Sequence, residues 1–365
     1  MRARLYRGML HYHGVTLHTA SSGSVVGLDT LWLVLDDESL QGIGEVRLNI
    51  SYLHGYSQNT VLENVVTVLS NWNWQQSAEQ MLDAVHHDEC LLLAPGRMLL
   101  DCALHDLLAK QAQLSVAQRL NPSPNLSHQI HTNQTLFWGS TEQLLNQAQS
   151  YVERGFTQLK LRVGVGAFAD DWHRLTLLRE TFGDAISLAI DVNGQWQVEQ
   201  AKEHLASLKS LSLEYVEQPV AVADDKYLSE LAEFGIPLML DESINSAAAI
   251  ERIIHSPVAL CAHLKLVKLG GITPLMCAAK KLKQANVPFM IGQMNEGNVA
   301  TAAAIATSLA MAPEHAELYG ADGLKDDPAR GVCYHDGMVS MHDSYGLGVS
   351  FDTTGATFLK EFNNG

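Results

Sequence analysis

From residue 156 onward, short apolar runs recur along the chain, each closing on polar residues and leading into a segment of helical periodicity. The runs are FTQLKLRV (156–163), ISLAIDVNG (186–194), LEYVEQP (213–219), IPLMLDES (236–243), CAHLKLVKLGG (261–271) and VPFMIGQMNEG (287–297). Between them lie amphipathic stretches such as VEQAKEHLASLKSL (198–211) and AAAIERIIHS (247–256). Strand followed by helix, repeated every 25–30 residues, is the signature of βαβ units and a parallel sheet. Six such runs, with a further strand expected over HQIHTNQTL (128–136), approach the eight that close a TIM-like α/β barrel. An open doubly wound sheet would need a phosphate-gripping glycine fingerprint after its first strand. Only GVG (164–166) is present, so the barrel is preferred.

The first part of the chain has a different texture. Residues 1–50 read as strands: LWLVLDD (31–37) is an apolar run, punctuated afterwards by Gly42, Gly44 and the Asn49/Ser51 region. From about residue 57 to 120 the pattern is helical. RMLLDCALHDLLAKQAQL (97–114) sets Leu100, Ala103, Leu104, Leu107 and Leu108 on one face. NPSPNLS (121–127) is the best linker in the chain. The expected organisation is an α+β unit over 1–125, the barrel over 126–325, and a C-terminal segment over 326–365. Within that last segment, residues 332–352 read as hairpin strands that return to the first unit.

An apolar share of 47% supplies a large core, and no run approaches 18 apolar residues. With a polar N-terminal region and no secretory pattern, the expectation is a cytoplasmic protein with no membrane partner. The net charge of −16 and the lack of any basic run argue against nucleic acid. Five scattered cysteines without a C-x-x-C, and histidines without H-E-x-x-H spacing, offer neither a disulfide framework nor a zinc site.

In a barrel the chemistry sits at the C-terminal ends of the strands. Three successive runs end in an acid there: Asp191 after LAI, Glu217 after EYV and Asp241 after LML, 26 and 24 residues apart. One such acid would more often cap the following helix. Three at adjacent strand ends would repel one another and raise their pKa values unless a hard divalent ion, Mg²⁺ or Mn²⁺, sat among them. Lys160 and Arg162 alternate with leucine, so both point to one side of their strand. Lys265 lies 24 residues beyond Asp241, with Lys268 close behind. A lysine turned inward is costly unless paired, and one depressed by a nearby cation can act as a base. The parts together describe removal of a proton α to a carboxylate, through an enolate stabilised by the metal.

DVNG, VEQP, LDES, LKLVKLGG and MNEG, in this order, resemble the enolase superfamily, in particular its mandelate racemase/muconate lactonizing branch and within it the muconate lactonizing subgroup. GIGEV (42–46) and LLDCALHDLLAK (99–110) resemble that family's capping domain. The resemblance implies a modified (β/α)7β barrel under an α+β cap completed by the C-terminal segment. It implies Asp191, Glu217 and Asp241 as ligands of Mg²⁺, with Mn²⁺ as the alternative, and Lys265 as acid/base. Lys160 and Arg162 stand at the family's second-strand K-x-K, where the arginine departs from the pattern. Arginine is a poor base, with a pKa above 12, which leaves Lys265 as the single base and Arg162 as an electrostatic partner.

The resemblance further points to Asn193, Gln293, Glu296 and Asp322 as substrate-binding residues. The loops Ser21–Ser24 and Ile50–Tyr56 would face the substrate, a small carboxylate, and a homo-oligomer is expected. The eighth-strand Asp-x-Asp of dipeptide epimerases is not reproduced around Asp322, and no histidine closes the seventh strand. The leading expectation is therefore a lyase or isomerase: a cycloisomerase, or an eliminating enzyme of the o-succinylbenzoate synthase type. A racemase or epimerase of an amino-acid derivative or dipeptide is the second, and a barrel that binds metal and ligand without turnover the third.

Overall fold

The computed structural model describes residues 1–13, 17–19, 23–123, 127–137 and 139–363. Ser21, Ser22 and the centre of the 121–127 linker lie outside them. Eight parallel strands follow one another in strict order around a barrel. They are Gln134–Leu136, Gln158–Arg162, Ser187–Asp191, Val216–Glu217, Leu238–Leu240, Leu260–Lys265, Phe289–Gly292 and His315–Glu317. The Asn133 N–H donates to Ala316 O (3.1 Å), bringing the eighth strand back against the first. Each of the first seven strands is followed by an α-helix, and among the described residues none follows the eighth. The repeat predicts a closed eight-stranded barrel, and the barrel is of the (β/α)7β type that the family resemblance implies.

The strand period of two decides what the barrel interior holds. Ala189, Tyr215, Met239, Cys261 and Met290 form a separate buried cluster on successive strands. Two residues further along the same strands stand Asp191, Glu217, Asp241, His263 and Gly292. An apolar layer thus plugs the barrel, and the charged groups rest directly on it.

Against one end of the barrel lies an antiparallel sheet in which Arg2–Leu10 pairs with Leu28–Asp37 and Leu28–Asp37 with Leu40–Arg47. The late strand Thr357–Phe362 adds to its edge by pairing with Arg2–Leu10. The hairpin at 332–341 does not join this sheet; it pairs with Gln129–His131 beneath the barrel. The return is made about twenty residues later. Gly42 and Gly44 also do not end a strand: both lie inside Leu40–Arg47. A Cβ on either would overlap Ala103 O or Leu99 O of the helix Ala94–Gln111, so the glycines let that helix settle onto the sheet.

The sheet and its helix hold the barrel through buried carboxylates. Glu45 accepts from the N–H groups of Gly297, Val299 and Ala300 at the start of the helix Asn298–Met311. Asp101 accepts from Ile272 and Thr273 at the start of the helix Ile272–Gln284. Each acid satisfies amides that a helix N-terminus leaves without partners and faces the positive end of its dipole.

Candidate active site

At the C-terminal rim of the barrel four acids and three lysines are packed with almost no exposure to water. Lys160 Nζ donates to Glu217 Oε2 (2.6 Å), contacts Glu317, and lies 3.8 Å from Asp191 Oδ2. Across the rim Lys265 Nζ donates to Asp241 Oδ2 (2.6 Å), while Lys268 Nζ donates to Asp241 Oδ1 (2.5 Å) and to the carbonyls of Asp241 and His263. His263 Nδ1 donates to Glu217 Oε1 (2.7 Å). Parallel pairing produces this assembly: Glu217 is level with Asp191, and Asp191 with Arg162.

The electrostatics differ from the simple repulsion expected of three acids. Burial would push the Asp241 carboxyl up, but Lys265 and Lys268 outweigh it and hold the group well below the usual range. Asp191, buried and beside Glu217, is pushed up to about 6 although Lys160 and Arg162 oppose the change. Burial and Asp241 raise the neighbouring Glu242 to about 8. Lys265 is not depressed: burial works to lower it, yet Asp241 holds it above its ordinary range. The reason is geometric. Each lysine has a carboxylate oxygen of its own, so the acids meet ammonium groups before they meet one another.

The three acids are hard oxygen donors at neighbouring strand ends, a set suited to Mg²⁺. Ligand atoms of Glu217, Asp241 and His263 lie within 4.8 Å of one another. Asp191 belongs to the same rim: its Oδ1 accepts from the Asn193 N–H (2.9 Å), and its Oδ2 faces Lys160 Nζ and Arg162 Nε (3.8 Å each).

Of the other expected site residues, Arg162 lies at the mouth with its guanidinium over the Phe137 ring (5.7 Å) and Nε 3.8 Å from Asp191 Oδ2. Its buried Nε has no hydrogen-bond partner. Asn193, with a left-handed backbone (φ 48°), donates to Glu242 Oε1 (3.2 Å). Glu296 accepts through Oε2 from the Met294 N–H (3.2 Å); its Oε1 is buried without a partner, and burial raises the group to about 7. The structure engages Gln293 and Asp322 elsewhere. Gln293 donates to Thr301 Oγ1 (2.8 Å) on the helix behind the seventh strand. Both oxygens of Asp322 are taken, by Arg154 (2.8 Å) and Gln134 (2.9 Å), in a clamp at the barrel wall.

Three participants escaped sequence reasoning: Glu317, His263 and Glu242. Glu317 closes the eighth strand as the other acids close theirs, so the same rule would have found it had that strand been recognised. His263 shares the inward parity of Lys265 in LCAHLK, a signal present but faint. Above the mouth the N-terminal unit contributes Tyr12, whose hydroxyl accepts from Asn295 Nδ2 (2.9 Å), and Arg47, which donates to Asn295 O (3.2 Å).

A family model described as Enolase C-terminal domain-like matches residues 143–355. The L-Ala-D/L-Glu epimerase of Francisella tularensis subsp. novicida is 32% identical over 261 residues, 70% of this chain and 72% of that protein. A chloromuconate cycloisomerase of Cupriavidus necator is 30% identical over 262 residues, 70% of each chain. The crystal structure of a dipeptide epimerase from Cytophaga hutchinsonii, complexed with Mg and the dipeptide D-Ala-L-Val, superposes with a TM-score of 0.90 at 24% identity. The match covers 100% of this chain and 99% of that one.

Proposed function

The chain belongs to the Enolase C-terminal domain-like family, and from that premise we propose that this enolase-superfamily enzyme epimerises a small amino-acid-derived carboxylate such as a dipeptide. The observation carrying the proposal is the 32% identity to an L-Ala-D/L-Glu epimerase over 70% of the chain. The rim geometry supports it, since acids lie between Lys265 on one side and Lys160 with Arg162 on the other. This departs from the leading expectation of a cycloisomerase or eliminating enzyme.

In the proposed mechanism Asp191, Glu217 and Asp241 would hold Mg²⁺, and the bound ion would supply Lewis-acid stabilisation for charge developing on the substrate carboxylate. Lys265 would remove the α-proton from one face as the neutral amine, once Asp241 is engaged elsewhere and no longer stabilises its ammonium, to give an enolate. Lys160 remains an ammonium: although burial opposes its charge, Glu217 and Glu317 hold its pKa well above the ordinary value. As an ammonium beside Arg162 it would give its proton to the opposite face of the enolate, the step that completes epimerisation, and regain one after the product leaves. The Phe137 ring and Arg162 close the opposite face.

Arg162 also favours a second reading. Its guanidinium is held above its ordinary range by Asp191, so it does not serve as a base. A one-base reaction, cycloisomerisation or β-elimination, needs no second abstraction. The test is α-proton exchange in D₂O with Mg²⁺ and a panel of dipeptides offered as both epimers. Interconversion with exchange from both epimers supports epimerisation. Exchange from one epimer only, extended to the other by Arg162→Lys, supports the one-base reading and overturns the first. No exchange with either would remove both.

A further inference from the structure

We infer that His263 is a positioning residue for the metal-binding carboxylate of Glu217, acting through a hydrogen bond from Nδ1, and that Gly292 exists as glycine to admit its ring. The inference rests on the proposal that Glu217 is a metal ligand. A carboxylate only accepts, so the 2.7 Å contact fixes the proton on Nδ1. Glu217 Oε2 is engaged by Lys160, so His263 and Lys160 together hold both oxygens of one carboxylate. Both side chains are fully buried.

The far side of the ring gives the independent observation. His263 Nε2 has no hydrogen-bond partner, and a Cβ built on Gly292 would overlap it. Gly292 ends the seventh strand level with Lys265, and His263 is level with Met290. The imidazole thus fills the space of an absent side chain on the neighbouring strand, and that wedge aims Nδ1 at Glu217. Polar partners of metal ligands orient them, and losing one typically costs 10–100-fold in metal affinity.

The experiment measures divalent-ion affinity without substrate, by Mn²⁺ EPR titration and Mg²⁺ competition, so an error in the substrate assignment does not affect it. His263→Leu should weaken binding at least 10-fold while circular dichroism and the melting profile stay native. His263→Asn should bind within about 3-fold of wild type, because asparagine Nδ2 stands one bond beyond Cγ, where His263 Nδ1 does. Gly292→Ala should reproduce the loss, and combined with His263→Leu should add nothing further, the coupling expected of groups in contact. Unchanged affinity in His263→Leu, or fully additive losses in the double variant, would overturn the inference. So would a directly coordinated ¹⁴N signal in the pulsed EPR of the Mn²⁺ protein, which would make His263 a ligand. Failure of the wild type to bind either ion would instead overturn the metal reading beneath it.

Discussion

Two groups of buried carboxylates lie within this molecule, and they are satisfied in different ways. At the barrel rim Glu217, Asp241 and Glu317 face lysine ammonium groups on flexible stems. Along the seam with the N-terminal sheet, Glu45, Asp101 and Asp327 accept mainly from backbone amides at helix starts. Amides cannot leave, so a seam acid has one arrangement and works as a fastener. An ammonium on a four-carbon stem can swing aside, so a rim acid can exchange partners. Burial therefore does not separate function from structure here; the mobility of the counter-group does.

The comparison breaks most decisively at Lys265. Lys265→Ala should reduce α-proton exchange and turnover by about 10³-fold or more, since loss of a positioned base costs 10²–10⁴. The fold should persist, because Asp241 keeps Lys268 as a partner. A rate within 10-fold of wild type, measured by NMR in D₂O, would show that the rim acids and lysines are fasteners too.

Glu45→Ala should do the reverse. Three amides of the helix Asn298–Met311 lose their acceptor in a buried place, which costs about 2–4 kcal/mol. The midpoint of urea unfolding should fall while turnover of the folded enzyme stays within about 3-fold. A large loss of turnover at unchanged stability would join seam and rim into one unit.

The rim was legible in the sequence to the extent that each acid closes its own apolar run: Asp191, Glu217 and Asp241 needed only strand parity and barrel topology. The counter-groups were harder to read. Pairing of Lys160 with Glu217, or His263 with Glu217, depends on register across strands; Lys160 stands out in its run only as an inward charge, which does not name its partner, and His263 hardly at all. The seam was not legible at all. Glu45 and the amide of Gly297 are separated by more than two hundred residues, and nothing near GIGEV indicates that its acid caps a distant helix. Gly42 and Gly44 looked like strand breakers because a glycine's meaning depends on what approaches it, here the backbone of Ala94–Gln111. The partners of Asp322, Arg154 and Gln134, are likewise far away in the chain and could not be read from its position.

Glu296 tests the boundary between the two groups, and its effect should be the smallest. It lies between seam and rim, bound by one amide of its own loop, with one buried oxygen free. Burial raises it from the usual 4.5 to about 7, against the pull of the Met294 amide, Arg47 and Lys265. The folded protein therefore binds this proton more tightly than the unfolded chain. By linkage its contribution is full below pH 4.5 and is lost as pH rises through about 7. The interval bounds the loss at about 3 kcal/mol. Glu45 and Asp327, also raised by burial, act with the same sign. Glu296→Gln should accordingly flatten, without abolishing, the decline in stability between pH 5 and 8 in urea unfolding. An unchanged slope would mean that the carboxylate is already ionised in the folded protein, its charge balanced by Arg47 and Lys265, and would place Glu296 with the rim.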